Sequence, residues 1–352
     1  MKIDRIIRLP FFFILGRPRS GTTLLRTLLD AHPRVQIPLE NSGMIHLLFK
    51  YGKKKKWNQE ERRKLLAELL AMKNVRNWEL DMDGVRELFQ KAPDKVSFHE
   101  LIRLCYFSYN SEFPKEELSC LGDKSPVNSL YSRKLFRAFP DAKFIHLVRD
   151  YRANLASMSR QKIFIPSETA ILMQWKKSAN QIDRLAKKYP ERFLLLRYED
   201  LAENPEKSFS GICGFLDIPY MPELLDTGTR EKAIGKLYSP EFIAGWQPNL
   251  TKGITTDHTD KWESELSPAS IRKADYIAGS TGKRYNYKVR FLEYPFSMIL
   301  GTEIKKALFS LNELNRYLYD RLPYRLKIRI RNRKHVLSYE LIRMMKKRFV
   351  KR

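Results

Sequence analysis

The ten residues GRPRSGTTLL, residues 16–25, follow directly on the apolar run Leu9–Leu15. An apolar run, a glycine-containing turn and a helical pattern predict a strand, a phosphate-binding loop and a helix. Such a loop points backbone N–H groups and the positive end of the helix at one anion. The spacing of its two glycines is that of a Walker A loop, but Thr22 stands where an ATPase or GTPase has its lysine. The missing lysine indicates a nucleotide without a γ-phosphate, with Arg19 as the cation of the loop.

Strand patterns recur along the chain, and each is followed by a turn and a helical pattern. They lie at Phe11–Leu15, Ser119–Gly122, Lys143–Val148 and Phe193–Arg197. This alternation predicts an α/β fold of the P-loop type, in which a parallel sheet is flanked by helices on both faces to give three layers. Ligands of such sheets bind at the carboxyl ends of the strands, so the residues that follow these strands are the candidates for a functional site.

The composition is that of a globular, strongly basic chain of 352 residues, with 43% hydrophobic residues and a formal net charge of +26. No apolar run approaches the roughly 20 residues of a membrane span, and the first apolar run is too short for a signal peptide. The cysteines Cys105, Cys120 and Cys213 form neither a metal nor a disulfide pattern. We therefore expect a cytoplasmic protein.

The positive charge requires an anionic partner, and a multiply anionic nucleotide satisfies that requirement. We expect no nucleic-acid partner, because the chain lacks helix-turn-helix, zinc and ribonucleoprotein signatures.

The chain divides into a predicted catalytic domain, residues 1–290, and a basic amphipathic C-terminal extension, residues 291–352. Within the first, residues 44–110 are mostly helical and predict an insertion over the site. In the extension, Phe296 to Leu318 has apolar residues at helical spacing, and residues 321–352 contain 13 Lys or Arg and one acid. This pattern favours peripheral attachment to an anionic membrane surface. The alternative is a helix packed on the catalytic domain, followed by a solvated basic tail.

The segment Pro18-Arg-Ser-Gly-Thr-Thr23 resembles the 5′-phosphosulfate loop of the sulfotransferases that use 3′-phosphoadenosine 5′-phosphosulfate (PAPS). Its extended form, through Pro33, is similar to the tyrosylprotein-type and related bacterial members. The resemblance covers roughly residues 11–277, with gaps. It implies that PAPS is the co-substrate, that adenosine 3′,5′-bisphosphate is a product and that no metal is required. It also implies that the loop residues bind the nucleotide, namely Arg19, Ser20, Gly21, Thr22 and Thr23.

Three further segments resemble nucleotide-binding parts of this family. Val-Arg-Asp at residues 148–150, with a serine eight residues after the arginine, implies that Arg149 and Ser157 bind the 3′-phosphate; a guanidinium fork and a hydroxyl suit a phosphate dianion. The RYEDL segment, residues 197–201, implies that Tyr198 lies near the adenine, the alternative being a core tyrosine, and that Glu199 organises neighbouring loops. Asp-Lys-Trp, residues 260–262, implies that Lys261 closes over the nucleotide.

Two other segments resemble the catalytic parts of the family. Gly-Asp-Lys-Ser-Pro, residues 122–126, implies that Lys124 approaches the transferred group, and with Arg19 it would stabilise the leaving phosphate. Residues 35–40 predict a short strand ending in Glu40, where tyrosylprotein-type enzymes have their catalytic glutamate. Glu40 is therefore the implied general base, and a loop ion pair is its alternative role; His46 and His99 are the other candidate bases.

The sequence thus predicts metal-independent, in-line transfer of a sulfuryl group from PAPS to a hydroxyl or amine acceptor. Two alternatives remain. One is a P-loop nucleotide kinase or other NTPase, which Thr22 disfavours, and the other is a non-catalytic protein that binds membrane or nucleic acid through the basic tail. Residues 38 and 39, Pro-Leu, depart from the Gly-Glu of the tyrosylprotein-type enzymes. The acceptor, whether a sugar, a lipid, a peptide tyrosine or a small alcohol, is left open, as is the oligomeric state.

Overall fold

The computed structural model describes residues 1–72, 74–160, 167–229, 234–235, 243, 250–251 and 253–322. Five strands form one sheet, and every neighbouring pair is parallel. The strands are β1 (Phe11–Leu15), β2 (Val35–Gln36), β3 (Cys120–Lys124), β4 (Lys143–Val148) and β5 (Phe193–Arg197). Their order across the sheet is β2-β3-β1-β4-β5. β2 and β3 therefore lie on one side of β1, and β4 and β5 lie on the other. The phosphate loop that follows β1 lies at this switch in strand order, which is where such sheets bind ligands.

Helices connect these strands and continue beyond the last of them. In the part of the chain that the structure describes, they are α1 (Ile3–Ile6), α2 (Thr22–Asp30), α3 (Met44–Tyr51), α4 (Gln59–Leu70), α5 (Met82–Lys91), α6 (Phe98–Phe107), α7 (Ser132–Ala138), α8 (Tyr151–Arg160), α9 (Glu168–Lys188), α10 (Tyr198–Glu203), α11 (Pro205–Leu216), α12 (Trp262–Glu265), α13 (Pro268–Gly282) and α14 (Phe296–Arg321). The predicted α/β class, with a parallel sheet between helices, is confirmed.

Both faces of β1 are buried, which explains its continuous apolar sequence. Phe11 and Phe13 face one core with α6 and α7; the Phe11 ring lies 5.2 Å from the Tyr106 ring and 5.2 Å from the Phe139 ring. Phe12 belongs to a second core, formed with α2 and α11. Because side chains alternate across a strand, this one segment holds helices on both sides of the sheet.

The strand at residues 35–40 is shorter than the sequence predicted. β2 pairs with β3 only through Val35 and Gln36, so Glu40 lies four residues beyond the sheet and not at its last position. Pro38 has no backbone N–H to donate to a neighbouring strand, which accounts for the early end. We refer to residues Ile37–Glu40 as the Ile37–Glu40 segment.

The predicted helical insertion contains α3, α4, α5 and α6. Capping boxes begin α4 at Asn58 and α6 at Ser97, in each case with a glutamate three residues later. Aromatic side chains of the insertion, including Trp78 and Tyr106, share one core with β1. The insertion is therefore packed directly on the sheet that holds the phosphate loop.

The chain divides into two compact units, Met1–Thr302 and Glu303–Arg352, and the division falls inside α14. The domain boundary at residue 290 and the role of the C-terminal extension stay predictions, and residues 323–352 lie outside the described part. No helix within the described residues is long and apolar enough to cross a membrane. Cys105, Cys120 and Cys213 are free and buried.

Candidate active site

The loop between β1 and α2 contains two residues with left-handed backbone conformation, Arg19 (φ 67°) and Gly21 (φ 86°). A side chain at Gly21 would come within 2.5 Å of the Tyr198 ring, and one at Gly16 within 2.7 Å of the Leu147 carbonyl oxygen. The two glycines therefore allow the loop to lie tightly against its neighbours. Gly21 begins α2 without a side-chain cap, so the first-turn N–H groups of the helix are available to an anion.

The predicted 3′-phosphate residues adjoin this loop. Arg149 follows β4, and its Nη1 donates to the Arg19 carbonyl oxygen at 2.8 Å. Arg19 Nε donates to Ser157 Oγ at 3.1 Å, so the Arg19 side chain lies beside a residue predicted for the 3′-phosphate. Burial lowers the pKa of both arginines, and the neighbouring Arg149 charge lowers the pKa of Arg19 further. Such crowding of positive charge would be relieved by a bound anion.

These groups line a cavity of about 300 Å³. Its walls include eight of the nine predicted nucleotide-binding residues: Arg19, Gly21, Thr22, Thr23, Arg149, Ser157, Tyr198 and Lys261. Ser20, the ninth, is a buried residue of the loop, and its Oγ accepts a hydrogen bond from Asn154 Nδ2. Arg160 adds a fourth cation to the wall and Asp257 adds an acid. The cavity is thus predominantly cationic.

Two of the three predicted catalytic residues, Lys124 and Glu40, form an ion pair; the third is Arg19 of the loop. Lys124 Nζ also donates to Thr23 Oγ1 at 3.2 Å, which connects the pair to the first turn of α2. The Lys124 side chain is fully buried, whereas that of Glu40 is 34% exposed. The Glu40 carboxylate therefore contacts Lys124 and remains accessible to an incoming molecule.

The positioning contacts of Asn154 and Trp175 were not predicted from the sequence. Asn154 Nδ2 donates to the Pro18 carbonyl oxygen at 2.7 Å and to Ser20 Oγ at 3.2 Å, so α8 holds the phosphate loop. Trp175 Nε1 donates to the Arg149 carbonyl oxygen at 3.0 Å. The Asn154 contact could have been predicted from the sequence, because Asn154 lies three residues before Ser157 and residues three apart share a helix face.

The Glu199 carboxylate, which the resemblance implied would organise neighbouring loops, makes a further positioning contact. It accepts hydrogen bonds from the Asp150 backbone N–H at 3.0 Å and from the Tyr287 hydroxyl at 2.7 Å. It thereby links the residue after Arg149 to a segment near the end of the domain.

The alternative bases lie elsewhere. His46 is exposed on α3, and His99 hydrogen-bonds Ser97 Oγ at the start of α6. His258 was not predicted, yet it lines the cavity and its carbonyl oxygen accepts a hydrogen bond from Arg149. Within the described residues, no group of three or more His, Cys, Asp and Glu side chains could hold a metal ion.

Comparison with known proteins agrees with this geometry. A family model described as the sulfotransferase family matches residues 10–222. Protein-tyrosine sulfotransferase 1 of Danio rerio is 30% identical over 273 residues, which cover 75% of this chain and 68% of that protein. Protein-tyrosine sulfotransferase 2 of Gallus gallus is 30% identical over 278 residues, with coverages of 77% and 67%.

A solved structure, the sulfotransferase domain of the Synechococcus PCC 7002 olefin synthase, shares the fold. Its TM-score is 0.53 at 24% identity, over 81% of this chain and 96% of that one. The region matched by the family model contains the phosphate loop, Glu40, Lys124, Arg149 and Tyr198. The chain therefore belongs to the sulfotransferase family and is a PAPS-dependent sulfotransferase, as its sequence predicts.

Proposed function

We propose that this enzyme transfers the sulfuryl group of PAPS to a hydroxyl acceptor, with Glu40 as the general base and Lys124 as the principal cation at the transferred group. The observation that carries the proposal is the contact of Lys124 with both Glu40 and Thr23. A proton acceptor, a cation and the N-terminus of a helix meet there at the carboxyl ends of neighbouring strands. This is the set of groups that metal-independent sulfuryl transfer needs.

The cationic cavity is the proposed nucleotide site. The N–H groups at the start of α2 would hold the 5′-phosphosulfate, and Arg149 with Ser157 would hold the 3′-phosphate. The Arg19 side chain, which donates to Ser157, would contact the 3′-phosphate as well as form part of the loop. Tyr198 and Lys261 would enclose the rest of the nucleotide. The guanidiniums, crowded and largely buried, supply the positive charge that a bisphosphate requires.

In the proposed reaction, the acceptor oxygen forms a bond to sulfur as the bond from sulfur to the leaving phosphate oxygen breaks. Glu40 takes the acceptor proton. Lys124 and the loop N–H groups stabilise the charge that develops on the leaving phosphate.

The proposed acceptor is the phenolic hydroxyl of a peptide tyrosine. The two relatives described above are named as protein-tyrosine sulfotransferases. A phenol, with a pKa of about 10, is also a much stronger acid than an aliphatic alcohol. Its proton is therefore within easier reach of a carboxylate base such as Glu40.

Nucleotide binding without magnesium tests the proposed donor. We expect adenosine 3′,5′-bisphosphate to bind at least about 100-fold more tightly than ATP, because the cavity has two sites for anions and lacks the Walker lysine. Isothermal titration in EDTA and then in magnesium measures both affinities. Magnesium-dependent ATP binding without bisphosphate binding would contradict the proposal.

Transfer of radiolabelled sulfate from PAPS tests the acceptor. Matched peptides with tyrosine, phenylalanine or serine at one position should show product only with tyrosine. A sugar and a lipid with a hydroxyl headgroup complete the comparison. Transfer only to the sugar or only to the lipid would agree with sulfuryl transfer from PAPS and would contradict tyrosine as the acceptor.

We also propose that the C-terminal extension attaches the enzyme to an anionic lipid surface. Along α14, apolar side chains that are at least half exposed repeat at helical spacing: Phe296, Leu300, Ile304, Leu308, Leu311, Leu314 and Leu318. The sequence from residue 321 to the end carries 13 Lys or Arg and one acid. An apolar helix face next to a cationic segment suits the boundary between headgroups and acyl chains.

Removing residues 321–352 should abolish sedimentation with liposomes that contain phosphatidylserine, while bisphosphate binding is retained. Each basic residue near such a surface contributes on the order of 1 kcal/mol, so the loss should be nearly complete. Vesicles of phosphatidylcholine alone are the control. Full-length protein that stays in the supernatant with anionic vesicles at physiological salt would contradict the attachment.

A further inference from the structure

We propose that Asn74 and Trp78, two residues of the helical insertion, are positioning residues for Glu40. The inference rests on the proposed role of Glu40 as the general base. It assigns to the insertion a part in sulfuryl transfer in addition to any contact with the acceptor.

The Ile37–Glu40 segment lies outside the sheet, and side chains bind its backbone carbonyl groups. Arg26 donates to the Ile37 carbonyl oxygen from Nη2 at 3.0 Å and from Nε at 3.2 Å. Trp78 Nε1 donates to the Leu39 carbonyl oxygen at 2.9 Å. Asn74 Nδ2 donates to the Glu40 carbonyl oxygen at 2.8 Å. Since irregular backbone lacks the hydrogen bonds of a β-ladder, these side-chain bonds determine where the segment lies.

The Trp78 indole is itself held firmly. It is 4% exposed, and its ring centre lies 5.0 Å from that of Tyr106 on α6. The Tyr106 hydroxyl donates to Asp123 Oδ2 at 2.6 Å, and Asp123 directly precedes Lys124. The insertion therefore contacts the backbone of one member of the Glu40–Lys124 pair and the sequence neighbour of the other.

This arrangement has a kinetic consequence. A general base acts only within hydrogen-bond reach of the proton that it removes, and small misplacements of reacting groups reduce rates strongly. The indole N–H is the only polar group of the Trp78 side chain, so Trp78→Phe removes the donor and keeps an aromatic ring against Tyr106. We expect kcat to fall about ten-fold, with the KM for PAPS and the affinity for adenosine 3′,5′-bisphosphate unchanged.

A double-mutant cycle with Glu40→Gln separates positioning from general destabilisation. If Trp78 acts through Glu40, Trp78→Phe should lower kcat in the wild-type background and have almost no effect once the base is gone. Trp57→Phe is the matched control. Trp57 is also buried in the insertion, and within the described residues its Nε1 has no hydrogen-bond partner; its replacement should leave kcat unchanged.

Asn74→Ala is the second variant, and it should show the same dependence on Glu40 if Trp78→Phe does not fold. Equal losses of kcat in the two backgrounds, or unchanged kcat in both Trp78→Phe and Asn74→Ala, would overturn the positioning role and leave the base assignment intact. Full turnover in Glu40→Gln alone would overturn the base assignment, and the positioning role with it.

Discussion

Replacing Glu40 with glutamine is expected to lower turnover by about 100- to 10,000-fold, the usual contribution of a general base. Glutamine keeps the size of the side chain and an oxygen that can accept from Lys124, but it cannot take a proton at neutral pH. The carboxylate is partly exposed beside the buried lysine, so the change removes basicity more than packing. Steady-state sulfation with saturating PAPS measures the effect, and titration with adenosine 3′,5′-bisphosphate should give an affinity close to wild type.

Glu68→Gln is the matched control for this substitution. Glu68 forms an ion pair with Lys50 in the insertion, at 2.5 Å and with 25% exposure of the carboxylate side chain, so the same chemical change is made away from the cavity. Its turnover should equal that of wild type. If Glu40→Gln instead weakens bisphosphate binding or lowers the melting temperature by as much as it lowers turnover, Glu40 has a structural role.

Replacing Arg149 with alanine is expected to weaken the binding of adenosine 3′,5′-bisphosphate by about 30- to 3,000-fold. This range corresponds to roughly 2–4.7 kcal/mol, within the loss usual when one partner of a buried charge pair is removed. The affinity for adenosine 5′-monophosphate, which lacks the 3′-phosphate, should fall only about three-fold. The ratio of the two affinities therefore reports on the 3′-phosphate contact, and isothermal titration measures both.

Two further variants support this comparison. Ser157→Ala should reduce the same ratio by about ten-fold, since it removes a single neutral donor. Arg272→Ala removes the same charge as Arg149→Ala from α13, where the guanidinium lies over the Phe291 ring, and should leave the ratio unchanged. A folded Arg149→Ala protein that still distinguishes the two nucleotides as wild type does would place the 3′-phosphate elsewhere.

The sequence was sufficient for the fold class and for the sulfotransferase family. β1, β4 and β5 have the predicted bounds, because each is a mostly apolar segment bounded by turn residues. β1 is buried on both faces, whereas β5, at the edge of the sheet, leaves Leu195 exposed. The Walker spacing without its lysine indicated a nucleotide without a γ-phosphate, and the resemblance to the PAPS-dependent family implied a second anion site at Arg149 and Ser157. These signals are local: each motif folds within one strand, turn and helix.

The tertiary structure decided how these segments act on one another. The Arg19 side chain lies beside Ser157, although the motif alone placed it at the leaving phosphate. Glu40 lies beyond its strand, in a segment whose carbonyl oxygens accept hydrogen bonds from side chains of α2 and the insertion. Its carboxylate forms an ion pair with Lys124. The physical reason is that local sequence determines which backbone pairs in a sheet, whereas irregular backbone is positioned by whichever distant side chains satisfy its hydrogen bonds.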